Sequence, residues 1–133
     1  MKNVIYFILA ITLLSVSCSK KDDGNVTPVI KTPGQLHPEY LGKWHCDSVY
    51  VNGKLDYFVY GNNYEFQDSK CIQTNDHVAS AHNVYDNWEI SGNTITLTIT
   101  DNTLPYTMTI VSPPVNNKMV LLDFGYTEYL SKQ

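Results

Sequence analysis

Any chemistry in this chain has to come from a short set of side chains. Its 133 residues hold 3 cysteines, 4 histidines and 13 aspartates and glutamates, with no arginine. His77 and His82 have the spacing of half a zinc site, and Asp76 and Asp86 lie close in sequence. The other half is missing, because Cys46 and Cys71 are far apart and not arranged as a ligand pair. The histidines therefore read as members of a polar surface loop, and no metal or other cofactor is expected. Glu65 and Glu89 come nearest to an acid/base pair, yet each sits in an extended segment whose solvated face explains it, and glycoside hydrolysis needs two carboxylates facing across a cleft. Nucleophile-elbow, zinc-helix and phosphate-loop patterns are absent. The expectation is a protein that is not an enzyme.

Cys18 stands apart because of what precedes it. Residues 1–17 begin with Lys2, continue as the apolar run Val4–Val16 broken only by Thr12 and Ser15, and end in Ser17. That is the pattern of a secretory signal peptide, and it falls short of the roughly 20 apolar residues that span a bilayer. Residues 14–18, LSVSC, resemble the lipobox of bacterial lipoproteins, with Leu14 one place early and Ser15 in the usual leucine slot. The resemblance implies that the Cys18 sulfur takes a diacylglyceryl group, that the signal is removed, and that Cys18 becomes a first residue carrying acyl chains such as palmitate. Each buried methylene contributes about 0.8 kcal/mol, and a second chain makes anchoring stable. Residues 19–23, SKKDD, resemble the Lys-plus-acidic signal that sends some bacteroidete lipoproteins to the outer face of the outer membrane; a solvated start to a linker, in a lipoprotein facing the periplasm, fits them as well. The expected location is the outer membrane, lipid-anchored, with cell-surface exposure the favoured orientation.

With Cys18 acylated, Cys46 and Cys71 remain as an even pair in an oxidising compartment. Two readings stay open for them. One is a disulfide contributing roughly 3 to 4 kcal/mol in the chain-entropy model; the other is two buried free thiols on different strands.

Residues 18–34 are rich in Lys, Asp, Asn, Thr and Pro and read as a flexible tether, leaving 35–133 as one small domain. A formal net charge of -4 and the lack of any basic stripe exclude nucleic-acid binding. Pro38–Leu41 reads as one helical turn. From Gly42 the period becomes two, with Trp44, Cys46, Ser48 and Tyr50 on one face of Gly42–Val51 and His45, Asp47, Val49 and Val51 on the other, and Asn52-Gly53 gives a strong hairpin signal. Further extended segments are predicted at Leu55–Tyr60, Tyr64–Phe66, Lys70–Thr74, Val84–Ile90, Thr94–Thr100, Tyr106–Val111, Lys118–Phe124 and Glu128–Lys132, with Ser112–Asn117 a loop around Pro113 and Pro114. Roughly eight strands in sequence order, without a useful helix, predict an all-β, up-and-down antiparallel barrel.

Leu41-Gly42-Lys43-Trp44 looks like the Gly-x-Trp start of the first lipocalin strand, preceded by the helical turn that closes the barrel floor. Together with Tyr64-Glu65-Phe66, the Trp88 to Ile95 hairpin and the closing Tyr129-Leu130-Ser131-Lys132, it resembles the small lipocalin-like domains of bacteroidete lipoproteins over Leu41 to Gln133. The resemblance implies a barrel whose floor is plugged by Trp44, with Lys132 in the place of the last-strand arginine, and a site for a small amphiphilic or glycan-derived ligand at the open end. Tyr57, Phe58 and Tyr60 are the leading binding candidates, because their rings can stack on a sugar face or an apolar chain; packing of the barrel mouth is the competing role. Tyr85 and Trp88 carry the same two readings. The rival function is a protein-interaction module, an inhibitor or accessory subunit of an envelope complex, built on a filled barrel.

Overall fold

The structure, a computed structural model, describes residues 29–56, 61–78, 82–102 and 104–133. Cys18 with its signal, and the Tyr57, Phe58 and Tyr60 cluster, lie outside the described residues. Among those described, one short helix, α1 (Pro33–Leu36), precedes ten strands: β1 (Gly42–Val51), β2 (Lys54–Asp56), β3 (Asn63–Phe66), β4 (Cys71–Thr74), β5 (His82–Tyr85), β6 (Asn87–Ser91), β7 (Thr94–Thr98), β8 (Tyr106–Val115), β9 (Lys118–Asp123) and β10 (Tyr126–Lys132). All pairs are antiparallel, in the order β5-β4-β3-β1-β10-β9-β8-β7-β6, with β2 added to the upper part of β1. The outermost strands, β5 and β6, follow each other through Asp86 alone, whose N–H donates to the Thr98 carbonyl at 2.8 Å. The sheet therefore curls into a nearly closed barrel.

The count of ten replaces the expected eight, for identifiable reasons. Val84–Ile90 divides at Asp86, where the chain crosses the seam. The expected Ser112–Asn117 loop is mostly strand, since β8 runs to Val115. Its prolines sit where the register with β9 slips, the place in a sheet that tolerates a missing N–H. Pro38–Leu41 does form a turn, the Tyr40 and Leu41 N–H groups donating to the His37 and Pro38 carbonyls at 3.1 and 3.3 Å, but the helix itself lies earlier. Thr32 caps Pro33–Leu36 through a reciprocal capping box with Gln35, and Pro33 stands where no N–H is needed. Thr32 Oγ1 and Gly34 N then bind Asp68, pinning α1 to the β3–β4 turn.

A bulge in β1 corrects the face assignment made from alternation. Between Cys46 and Ser48 the register with β10 shifts by one residue, so Asp47 is extra. Trp44 and Cys46 point inward below the bulge, whereas Val49, 3% exposed, points inward above it.

Turns at 67–70, 92–93 and 116–117 gather at one end with α1 and Lys132; turns at 52–53 and 124–125 and the segments 75–78, 99–102 and 104–105 gather at the other. The first end is solid. Trp44, Phe66, Cys71, Trp88, Ile95, Met108, Met119 and Leu130 fill it, each at most 1% exposed, beneath Tyr40. Trp44 Nε1 donates to the Tyr40 carbonyl at 2.7 Å, and Trp88 Nε1 to that of Gln67 at 2.8 Å, so both indoles are buried without losing a hydrogen bond. Lys132 Nζ lies 5.4 Å from the Trp44 ring centroid, within cation–π range.

Candidate functional site

Above that floor the interior changes character. Continuing the inward parity of Met119 and Leu121, β9 presents Asp123; continuing that of Leu130, β10 presents Glu128. Both carboxylates are buried, at 4% and 2% exposure. Glu128 Oε2 accepts from the Tyr64 hydroxyl at 3.0 Å, and its Oε1 accepts from the Asn62 backbone N–H at 2.9 Å. Asn62 Nδ2 spans the pair, 3.3 Å from Asp123 Oδ2 and 3.4 Å from Glu128 Oε1. The Tyr106 hydroxyl donates to Asp123 Oδ2. Tyr106 in turn accepts from Gln73 Nε2 at 3.1 Å, and Gln73 Oε1 accepts from Tyr85 at 3.0 Å and from Asn83 at 3.1 Å. One polar network thus runs across the barrel from β10 to β5. Among the buried side-chain polar atoms of the described residues, Asp123 Oδ1 alone has no hydrogen-bond partner.

Burial governs the electrostatics. It raises Glu128 to about 7, against the weaker lowering effect of hydrogen bonds from Asn62 and Tyr64, with Asp123 nearby adding to the rise. Asp123 is raised for the same first reason, despite donors from Tyr106 and Asn62. Desolvation also pushes Tyr85 up to about 12 and lifts Tyr64 and Tyr106 further, so all three phenols stay neutral donors.

The network borders a cavity of about 620 Å³ at the open end, lined by Tyr85, Leu97, Ile99, Leu104, Tyr106 and Phe124 and spilling over the rim to Thr107, Thr109 and Leu122. Phe124 is 81% exposed and Leu104 79%. The Phe124 ring packs 5.6 Å from that of Tyr106, and its backbone is held at φ 43°, a left-handed conformation unusual for an aromatic residue.

The sequence candidates separate accordingly. Tyr85 lines the cavity; Trp88 lies buried in the floor, against Phe66 at 5.1 Å. Asn62, Tyr64, Gln73, Tyr106, Asp123 and Glu128 were not singled out by sequence, although strand parity already placed Asp123 and Glu128 on the faces of their apolar neighbours. Glu65 is turned outward, toward Lys43 at 3.9 Å and Gln67 at 3.1 Å, and Glu89 is exposed. Among the described residues no cluster of three or more potential metal ligands occurs.

The disulfide reading is corrected: Cys46 and Cys71 are both free thiols. Phe66 pairs with Gly42 on one side and Cys71 on the other, so Cys46 stands four residues farther up β1 than the level of Cys71. At about 3.3 Å per residue that offset is about 13 Å, beyond the roughly 7 Å between Cα atoms that a disulfide spans. Burial raises both thiols, Cys46 to about 12, which keeps them protonated and unreactive.

No protein-family model and no curated protein matches this chain. Solved structures do. A lipocalin-like protein from Bacteroides uniformis aligns with a TM-score of 0.52 at 14% identity, covering 71% of this chain and 99% of the other. An uncharacterized protein from Bacteroides eggerthii aligns with a TM-score of 0.53, also at 14% identity and the same two coverages. The fold is a lipocalin-like barrel. At this identity the likeness speaks for architecture, and the site must be argued from its own residues.

Proposed function

We propose that this protein is a lipid-anchored outer-membrane binding protein that holds a small amphiphile at the open end of its lipocalin-like barrel. One observation carries the reading: an open cavity of about 620 Å³ lined by Ile99, Leu104 and Phe124 together with Tyr85 and Tyr106, whose hydroxyls join the polar network behind it. The volume is that of a small-molecule site, and apolar walls with a few convergent polar groups are what such sites use. Because the lower half is filled by Trp44, Trp88 and their neighbours, the ligand enters only part-way, head toward the network and tail among the rim residues. Its role is retention rather than turnover. The anchor is assigned to Cys18, and the chain is held to the barrel from Thr32, whose hydroxyl donates to Asp68.

Native mass spectrometry of the protein extracted from its own membranes tests this. A retained small molecule, absent when Leu104→Asp and Phe124→Asp place charges on the rim, is the expected outcome. A folded protein that carries no small molecule under any mild extraction contradicts it.

A further inference from the structure

The two interior carboxylates lack a counter-charge. Among the described residues Lys43 pairs with Glu65, and His37 and His45 contact Glu39 and Asp76; none of these contacts involves Asp123 or Glu128. All their donors are neutral: Asn62, Tyr64 and Tyr106. Asp123, 96% buried by its 4% exposure, keeps Oδ1 without any donor. A buried carboxylate oxygen left unpaired is costly, and natural interiors rarely hold one without a use.

Two independent features point to what would satisfy it. Lysines are sorted between the ends of the barrel. Of the six in residues 29–133, Lys31, Lys43, Lys70, Lys118 and Lys132 belong to the floor end and only Lys54 to the open end, which carries Asp56, Asp76 and Asp101. None of the three lines the cavity, but surroundings dominated by one sign of charge concentrate ligands of the other sign. Asp123 does not line the cavity but stands directly behind Tyr106, which does, and the wall there is aromatic, with Tyr106 between Tyr85 at 5.8 Å and Phe124 at 5.6 Å; ring faces attract cations.

We propose that the head group taken at the open end is cationic, an alkylammonium whose N–H donates to Asp123 Oδ1 against the rings of Tyr106 and Phe124. This rests on reading the open end as an amphiphile site. To admit the head, the Tyr106 ring tilts toward Gln73, which already shares its hydroxyl. An anionic head meets two carboxylates and no lysine. A neutral hydroxylated head supplies the donor without the charge.

The test is calorimetry on the full chain carrying Cys18→Ser, which blocks acylation and removes competing lipid, with three probes of equal tail: octylammonium, octyl glucoside and octanoate, at slightly alkaline pH. Octylammonium is expected to bind at least about tenfold tighter than octyl glucoside, as a charge-assisted hydrogen bond provides, with octanoate weakest. Asp123→Asn, and separately Glu128→Gln, should each reduce octylammonium affinity more than that of octyl glucoside; melting curves establish that each variant is folded. Equal affinities, or a preference for octylammonium that survives both substitutions, overturn the cationic head and leave the amphiphile site standing. Failure of all three probes to bind overturns the site itself and the inference with it.

Discussion

A carboxylate on the inward side of a strand separates this barrel from one filled only by apolar side chains. Asp123 and Glu128 were legible as such, since they follow Met119 and Leu121 and precede Leu130 at a spacing of two; what was not legible was that Asn62, from a connection, would bridge them. By the same parity Glu65, between Tyr64 and Phe66, had to face out. The buried pair sets the pH response. Folding lifts Glu128 from an ordinary 4.5 to about 7, and Asp123 moves the same way, so the folded state holds protons more tightly than the unfolded chain. The groups facing Glu128 are Tyr64 from β3, Asp123 from β9, Tyr106 from β8 and Cys46 from β1, none of them a cation. This contribution is complete at acid pH and is lost as pH rises through about 7, amounting to about 3 kcal/mol. Denaturant melts should accordingly show stability declining from mildly acid to mildly alkaline pH. Glu128→Gln should flatten that slope and raise stability on the alkaline side; a slope unchanged by the substitution would place the response elsewhere. Phe124 gives a second test at this scale. Phe124→Asn suits the left-handed turn better and should leave stability level or higher by up to about 1 kcal/mol, while lowering affinity for the ligand tail.

At the scale of elements, local chemistry decided much. Asn52-Gly53 adopts φ 51° and 77°, the paired positive values that its sequence predicts for a hairpin turn. Asn116-Asn117 does the same at 51° and 59°, a turn masked in sequence by the two prolines before it. The bulge at Asp47 had no local signal, because one extra residue leaves alternation intact on either side and only pairing with β10 exposes it. It brings Cys46 and Val49 together against the chain leaving Gly61: a Cβ there would lie 2.1 Å from Cys46 Sγ and 2.8 Å from Val49 Cγ2. Gly61→Ala should therefore cost about 1 to 3 kcal/mol in a urea melt. Adding Cys46→Ala should recover part of that loss, and full additivity of the two changes would refute this packing. The sequence left a disulfide open because strand registry, unlike strand identity, is not written in spacing. Reduction should consequently leave the melting temperature of the folded domain unchanged.

For the molecule as a whole, the up-and-down order was readable from turns and alternation, whereas its division into a solid floor and a polar, partly open upper half depends on which strands meet. Trp44→Ala should cost about 3 to 5 kcal/mol, since the ring is 1% exposed and its Nε1 is bonded to Tyr40. Floor stability and ligand affinity should separate, because the cavity at the other end is lined by Tyr85, Tyr106 and Phe124 and not by either tryptophan. The most direct measurement is a backbone amide NMR titration of the full chain with Cys18→Ser against octylammonium. Saturable shifts confined to the 99–107 and 122–126 segments and to residues around Tyr85, with Trp44 and Trp88 still, are the predicted result. Shifts centred on the floor or on the outer face of β1, or none at all, would contradict a ligand held at the open end.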